Sequence, residues 1–142
     1  MLLELERVKN YLRVDPDQIF DDAEIESMVN GAFQYFSNET NHIFGLIDKD
    51  YYSPFRIYDF PITDTSTLTK RANYYVPNYC VETSFITLEV GYETEADIPA
   101  DIIQCILDIT KVWYYSTEQE QNTGLMPMTI KQVIEKYRRF HL

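Results

Sequence analysis

The stretch from Asp97 to Gln119 constrains this chain more than any other part of it. Pro99 suits a first helical position, because its missing N–H would have no intrahelical acceptor there. Asp101 adds a negative charge where the helix dipole favours one. Either Ile98 or Asp97 would serve as the cap. Beyond that start, Ile102, Ile103, Ile106, Leu107, Trp113 and Tyr114 recur at three- and four-residue steps, and Cys105, Ile109 and Val112 take another side. The polar remainder, Asp101, Gln104, Asp108 and Lys111, is confined to a narrow strip. A helix with so little wet surface is surrounded on most sides by the rest of its own fold. It is too short and too charged to span a bilayer.

Three more helices are expected around it. Leu5, Val8, Tyr11 and Leu12 make the stripe of a first helix over about 2–14, with Glu4, Glu6, Arg7, Lys9 and Asn10 outside; Asp15-Pro16-Asp17 stops it. Asp21 and Asp22 open a second over about 22–38, with Ile25, Met28, Val29, Ala32, Phe33 and Phe36 on its buried face. Gly31 in that helix admits close approach of a neighbour. After a polar connection, Thr129 caps a last helix over about 129–140, striped by Ile130, Val133, Ile134 and Tyr137. The central helix itself is placed at about 98–119.

Between the second and third helices the period changes. Pro54, Pro61 and Pro77 among β-branched and aromatic residues argue for short strands and loops, a β insertion over about 50–92. Ser84 to Tyr92 is the clearest strand, with Ile86, Leu88 and Val90 on one face. Phe55–Ile62 and Asn73–Val81 are its expected partners, and their prolines suggest edge strands. The polar run Thr63–Arg71 reads as an exposed loop tip. The expectation is one domain over 1–142, mainly α: a four-helix arrangement around a buried central helix, with a small antiparallel β insertion.

Chemistry is sparse. Lys plus Arg number 12 and Asp plus Glu 23, a net charge of −11, which disfavours adhesion to nucleic acid or an anionic membrane. His42 and His141 lie in no metal-ligand or nucleophile–base spacing. The acidic run Asp15, Asp17, Asp21, Asp22, Glu26 invites a calcium-loop reading, but Phe20 stands where that loop needs its turn glycine. Cys80 and Cys105 suit neither zinc nor a disulfide scaffold, and a reducing compartment is the natural reading. The N-terminus breaks into charge too soon for a signal peptide. No catalytic, cofactor-binding or metal-binding residue is nominated, and no cofactor is implied. Arg138-Arg139 either complements a helix dipole or docks on an acidic partner. The pairs Tyr51-Tyr52, Tyr74-Tyr75 and Tyr114-Tyr115 suit either core or interface; adjacent residues on a strand point to opposite faces, so one of each strand pair would project outward, which favours interface.

The order of these segments resembles a known family. Leu-Glu-Arg-Val-Lys-Asn-Tyr-Leu-Arg-Val-Asp leads to Asp-Asp-Ala-Glu-Ile-Glu-Ser-Met-Val-Asn-Gly-Ala. Then come Leu-Glu-Val-Gly-Tyr, Ile-Pro-Ala-Asp-Ile-Ile-Gln-Cys-Ile-Leu, the pair Trp113-Tyr114 and a short terminal helix near Tyr137-Arg138. This resembles the head–tail connector (adaptor, or head-completion) proteins of tailed bacteriophages and prophages, most closely over 4–36 and 88–116. The resemblance implies a structural virion protein made in the host cytoplasm and not an enzyme. Twelve copies would form a ring at the neck, between the portal and the stopper or tail-completion protein. Genomic DNA would pass through without sequence-specific binding, and no membrane is involved. It also implies that Tyr137, Arg138, Arg139 and Phe140 contact the portal, while Tyr74, Tyr75 and Tyr79 are candidates for contacts between subunits. A different class, a small cytoplasmic prophage-encoded protein-binding module, shares the acidic charge and the open strand edges.

Overall fold

In the computed structural model, residues 2–52, 56–71, 74–78, 85–115 and 127–138 are described. Helix α1 is Leu5–Leu12 and α2 is Asp22–Thr40. Strands β1 (Ile47–Tyr52), β2 (Leu68–Lys70), β3 (Tyr75–Pro77) and β4 (Phe85–Val90) follow. A 3₁₀ turn at Glu95–Asp97 leads into α3 (Ala100–Tyr115), and α4 is Met128–Tyr137. None of these helices is long and apolar enough to cross a membrane.

Helix α3 is the packing centre, contacting α1, α2 and α4. Ile102, Ile106, Ile109 and Thr110 are fully buried, and Ile103, Cys105 and Leu107 nearly so. Thr110 meets its burial cost by donating its hydroxyl to the Ile106 carbonyl at 2.9 Å. The narrow polar strip does structural work. The Tyr11 hydroxyl from α1 donates to Asp108, Gln104 Nε2 donates to both at 3.1 Å, and Lys111 lies over the Tyr11 ring. At the far end, the Tyr114 hydroxyl donates to Asp21 at 2.9 Å, and Tyr115 donates to the Leu12 carbonyl. Trp113 explains Gly31, since a Cβ there would stand 3.3 Å from the indole edge.

The cap of α3 is neither Ile98 nor Asp97. The Pro99 carbonyl accepts from Ile102 and Ile103 at 3.1 and 3.2 Å, so the helix begins one residue past the proline. Asp97 is engaged backwards, closing a capping box with Thr94 on the preceding 3₁₀ turn. Helix α2 runs past Ser37 because the Thr40 hydroxyl returns to the Phe36 carbonyl, and Asn41 ends it in the left-handed conformation at φ 61°.

The expected four-helix arrangement is not what forms. The fold is mixed α/β: roughly half helix and a fifth strand, with two antiparallel two-stranded sheets, β1–β4 and β2–β3. The helices do not enclose α3 by themselves, since α1 spans only 8 residues. The strand region completes the enclosure. Phe44, Phe60 and Tyr92 pack against the helical core, while Ile57, Ile62, Leu68 and Val90 bury a second core beneath the ribbon.

The partner of β4 is β1, with Ile47 opposite Val90 and Tyr52 opposite Phe85, not the 55–62 or 73–81 segments. Those segments take part more locally, through the single bridges Ile62 to Val90 and Ile57 to Tyr75 and through β3, which pairs with β2. Strand β2 lies inside the run expected to be a loop tip, because Leu68 turns into the second core.

Candidate functional site

Two of the four C-terminal candidates are described, and both are anchored to the fold. The Tyr137 hydroxyl donates to Asp101 Oδ1 at 2.6 Å, and Lys136 Nζ to Asp101 Oδ2 at 2.8 Å. The Tyr137 ring stands edge-on to His42 at 5.4 Å and near Phe36. Arg138 donates through Nε to the Glu39 carbonyl (3.2 Å) and through its two terminal nitrogens to the Glu39 (3.0 Å) and Glu135 (2.7 Å) carboxylates. Its side chain is only 23% exposed. Thus α4 is clamped at its C-terminal end to the start of α3 and the end of α2. Burial alone would raise the Asp101 pKa, but the hydrogen bonds from Lys136 and Tyr137 and the Lys136 charge hold it below the usual carboxylate range. Arg139 and Phe140 lie outside the described residues.

Tyr74 and Tyr75 stand elsewhere. The Tyr74 ring packs on Tyr58 at 5.4 Å, with the Arg56 guanidinium 5.7 Å from its centroid. Tyr75 exchanges backbone hydrogen bonds with Ile57 and packs against the second core. Both are half-buried. Tyr79 falls outside the described residues. Tyr74 and Tyr75 therefore belong to the strand region, and Tyr137 and Arg138 to the helical core.

The spacing of His42 in sequence assigns it no role, yet it lies in the core. It is 3% exposed, bridged to Phe60, with Nδ1 2.9 Å from the Tyr92 hydroxyl and its ring among Phe36, Phe60, Tyr92 and Tyr137. The only signal was the density of aromatics that follows it, and their convergence is a tertiary event. A buried carboxylate, Asp59, was missed as well. It accepts from Lys49 Nζ at 2.7 Å, from the Tyr51 hydroxyl at 2.8 Å and from Asn41 Nδ2 at 3.4 Å. Burial first, then the hydrogen bond and charge of Asp59, raise the Tyr51 pKa, so the phenol stays protonated and tethers β1 to the 57–62 segment.

Lys9 was placed on the wet side of α1 but is 3% exposed. Its ammonium donates to the Pro16 and Gln18 carbonyls and to Asp22 Oδ1 at 2.8 Å. The acidic connection between α1 and α2 therefore does wrap a cation, and that cation is the chain's own lysine. Held this way, the loop presents Ile19 and Phe20 to solvent at 70% and 91% exposure. The described residues hold no group of three or more His, Cys, Asp or Glu arranged to bind a metal ion.

An apolar groove of about 610 Å³ lies beside α2, lined by Leu2, Phe33, Ile43, Phe44 and Ile47 and rimmed by Asn30, Gln34 and Ser37.

The fold has solved counterparts. A chain from the virion of a native gene transfer agent particle superposes with a TM-score of 0.73 at 13% identity, over 99% of this chain and 91% of that one. A chain from the neck of an empty gene transfer agent particle, computed with C6 symmetry, gives a TM-score of 0.62 at 15% identity over the same shares. No curated protein matches in sequence. A family model, that of the phage gp6-like head-tail connector protein, matches residues 3–139, and the chain belongs to that family of structural virion connectors.

Proposed function

We propose that this protein is a neck subunit that assembles as a ring between the portal and the stopper or tail, extending the channel through which DNA leaves the head. The observation that carries this reading is the family match from residue 3 to 139, which takes in both the helical core and the strand region. The net charge of −11 supports it, because a wall around moving DNA must not adhere to it, and like charge keeps polyanion and wall apart. A contact repeated head to tail by rotation closes a ring. The ring is proposed to hold twelve copies and to meet the portal through Tyr137, Arg138, Arg139 and Phe140, with Tyr74, Tyr75 and Tyr79 facing neighbouring copies.

Co-production with the portal protein encoded beside it tests the reading. The chain is expected to co-purify on portal rings as a stacked collar in negative-stain images. Portal rings that emerge bare at saturating chain would count against it. Docking through the C-terminus needs variants that spare the internal clamp. Arg138→Glu would set a third carboxylate against Glu39 and Glu135, so loss of binding there would be uninformative. Arg139→Glu with Phe140→Ala alters none of the three residues of that clamp. That pair is expected to weaken portal binding by about tenfold or more, as removal of interface anchors does; unchanged binding removes the C-terminus from the interface.

A further inference from the structure

We propose that the Ile19–Phe20 loop of one copy seats in the groove beside α2 of a second copy, so that this knob and groove form the head-to-tail joint of the ring. The inference rests on the ring reading above and names its contact.

The knob is held in place from below and covered by nothing in its own chain among the described residues. Residues 15–20 are all exposed, and none adds a side chain to either core. Yet a lysine ammonium is withdrawn from water beneath them to hold the Pro16 and Gln18 carbonyls. Asp15 tightens the same loop by accepting from the Asp17 N–H at 2.9 Å. The result is a hydrogen-bonded mount for an isoleucine and a phenylalanine exposed to solvent. A pre-ordered aromatic anchor loses little entropy on binding, which is the property of an interface hot spot.

The groove has the matching chemistry. From Ser27 to Asn38, α2 carries no carboxylate, lysine or arginine, in a chain where 23 residues are acidic. Its outward positions there are Ser27, Asn30, Gln34 and Asn38. Depletion of charge on an exposed face marks interface cores. It also supplies what an acidic partner loop requires, an apolar floor of Phe33 and Phe44 behind amide and hydroxyl groups that can donate to Asp15, Asp17 and Asp21. The second apolar cavity, beside Leu46 and Phe60, is ringed by Glu89, Glu93 and Asp97 and would repel that loop.

The occupant must come from another copy. The loop enters α2 at Asp22, whereas the groove flanks Asn30 to Ser37, about 12–22 Å further along the same helix at 1.5 Å per residue. The loop of one copy therefore does not reach the groove of that same copy. Because knob and groove are different surfaces, the contact is heterologous and repeats by rotation.

Cysteine pairing tests this in the full-length chain, with Cys80 replaced by Ser. One variant carries Phe20→Cys and the other Gln34→Cys. Mild oxidation of the mixture is expected to give a disulfide-linked dimer about tenfold above the yield from either variant alone, and Phe20→Asp is expected to weaken self-association by about tenfold or more. A dimer formed as readily by the Phe20→Cys chain alone, no dimer in the mixture at millimolar protein, or unchanged association of Phe20→Asp would each overturn the joint. The neck reading is judged apart from it, by whether purified particles contain the wild-type chain at the head–tail junction.

Discussion

Gly91 shows how much one residue can carry. It sits at φ 117°, and a Cβ there would lie 2.1 Å from the carbonyl oxygen of Gly45, itself at φ 92°. The two glycines let the start of the strand region cross the end of β4, where Gly45 N–H donates to the Tyr92 carbonyl and Gly91 N–H to the Pro61 carbonyl. Gly91→Ala is expected to cost about 3 kcal/mol or more, since backbone strain and overpacking act together. Gly45→Ala, whose Cβ meets nothing within 4 Å, should cost only the left-handed penalty of about 1–2 kcal/mol. Urea denaturation of the two variants measures the difference, and equal losses would refute the steric account. Cys105 gives a simpler check. Burial, with the charges of Asp108 and Asp101 behind it, pushes its thiol up to about 12, so thiolate is scarce at neutral pH. Thiol reagents should label Cys105 only when the protein unfolds; rapid labelling of the native chain would contradict its place in the core.

At the scale of elements, the clamp between α3 and α4 depends on Asp101. Its folded pKa lies below the unfolded carboxylate value of about 3.9. Its contribution is therefore complete above that value and is lost as pH falls through the folded pKa. Between pH 7 and pH 3 the wild type is expected to lose more stability than Asp101→Asn does, by denaturant midpoint; parallel losses would show that the clamp contributes nothing. For the α1–α2 connection, Lys9→Met leaves two carbonyls and a carboxylate short of a donor. A cost of about 1–3 kcal/mol is expected, together with faster amide exchange at Asp17 and Gln18 than the global loss accounts for. What the sequence made legible follows the same division. The central helix could be read because Ile102, Ile106 and Ile109 repeat at helical spacing and nothing downstream alters that period. Strand β1 could not, because Asp48-Lys49-Asp50 breaks the apolar alternation. Lys49 stays exposed and reaches sideways to Asp59, a partner that no local pattern reveals. Lys9 escaped for the same reason, since a lysine beside an apolar stripe reads as solvent-facing until the chain returns to cover it. The mixed α/β character followed from such distant pairings, as strands with charged outward faces carry a weak periodic signal.

At the scale of the whole molecule, the chain combines a helical core, a second core under a two-stranded ribbon, and outer surfaces that its own fold leaves uncovered. The connector family match spans nearly all of it, taking in both the helices and the strand region. In a chain of net charge −11, the Ser27–Asn38 stretch of α2 is the longest run without a charged residue within the described helices. Imaging tailed particles purified from the producing strain tests the central claim most directly. The account predicts that a three-dimensional reconstruction of the neck places a ring of this chain between portal and tail. Complete, tailed particles whose neck contains no copy of it would contradict the account.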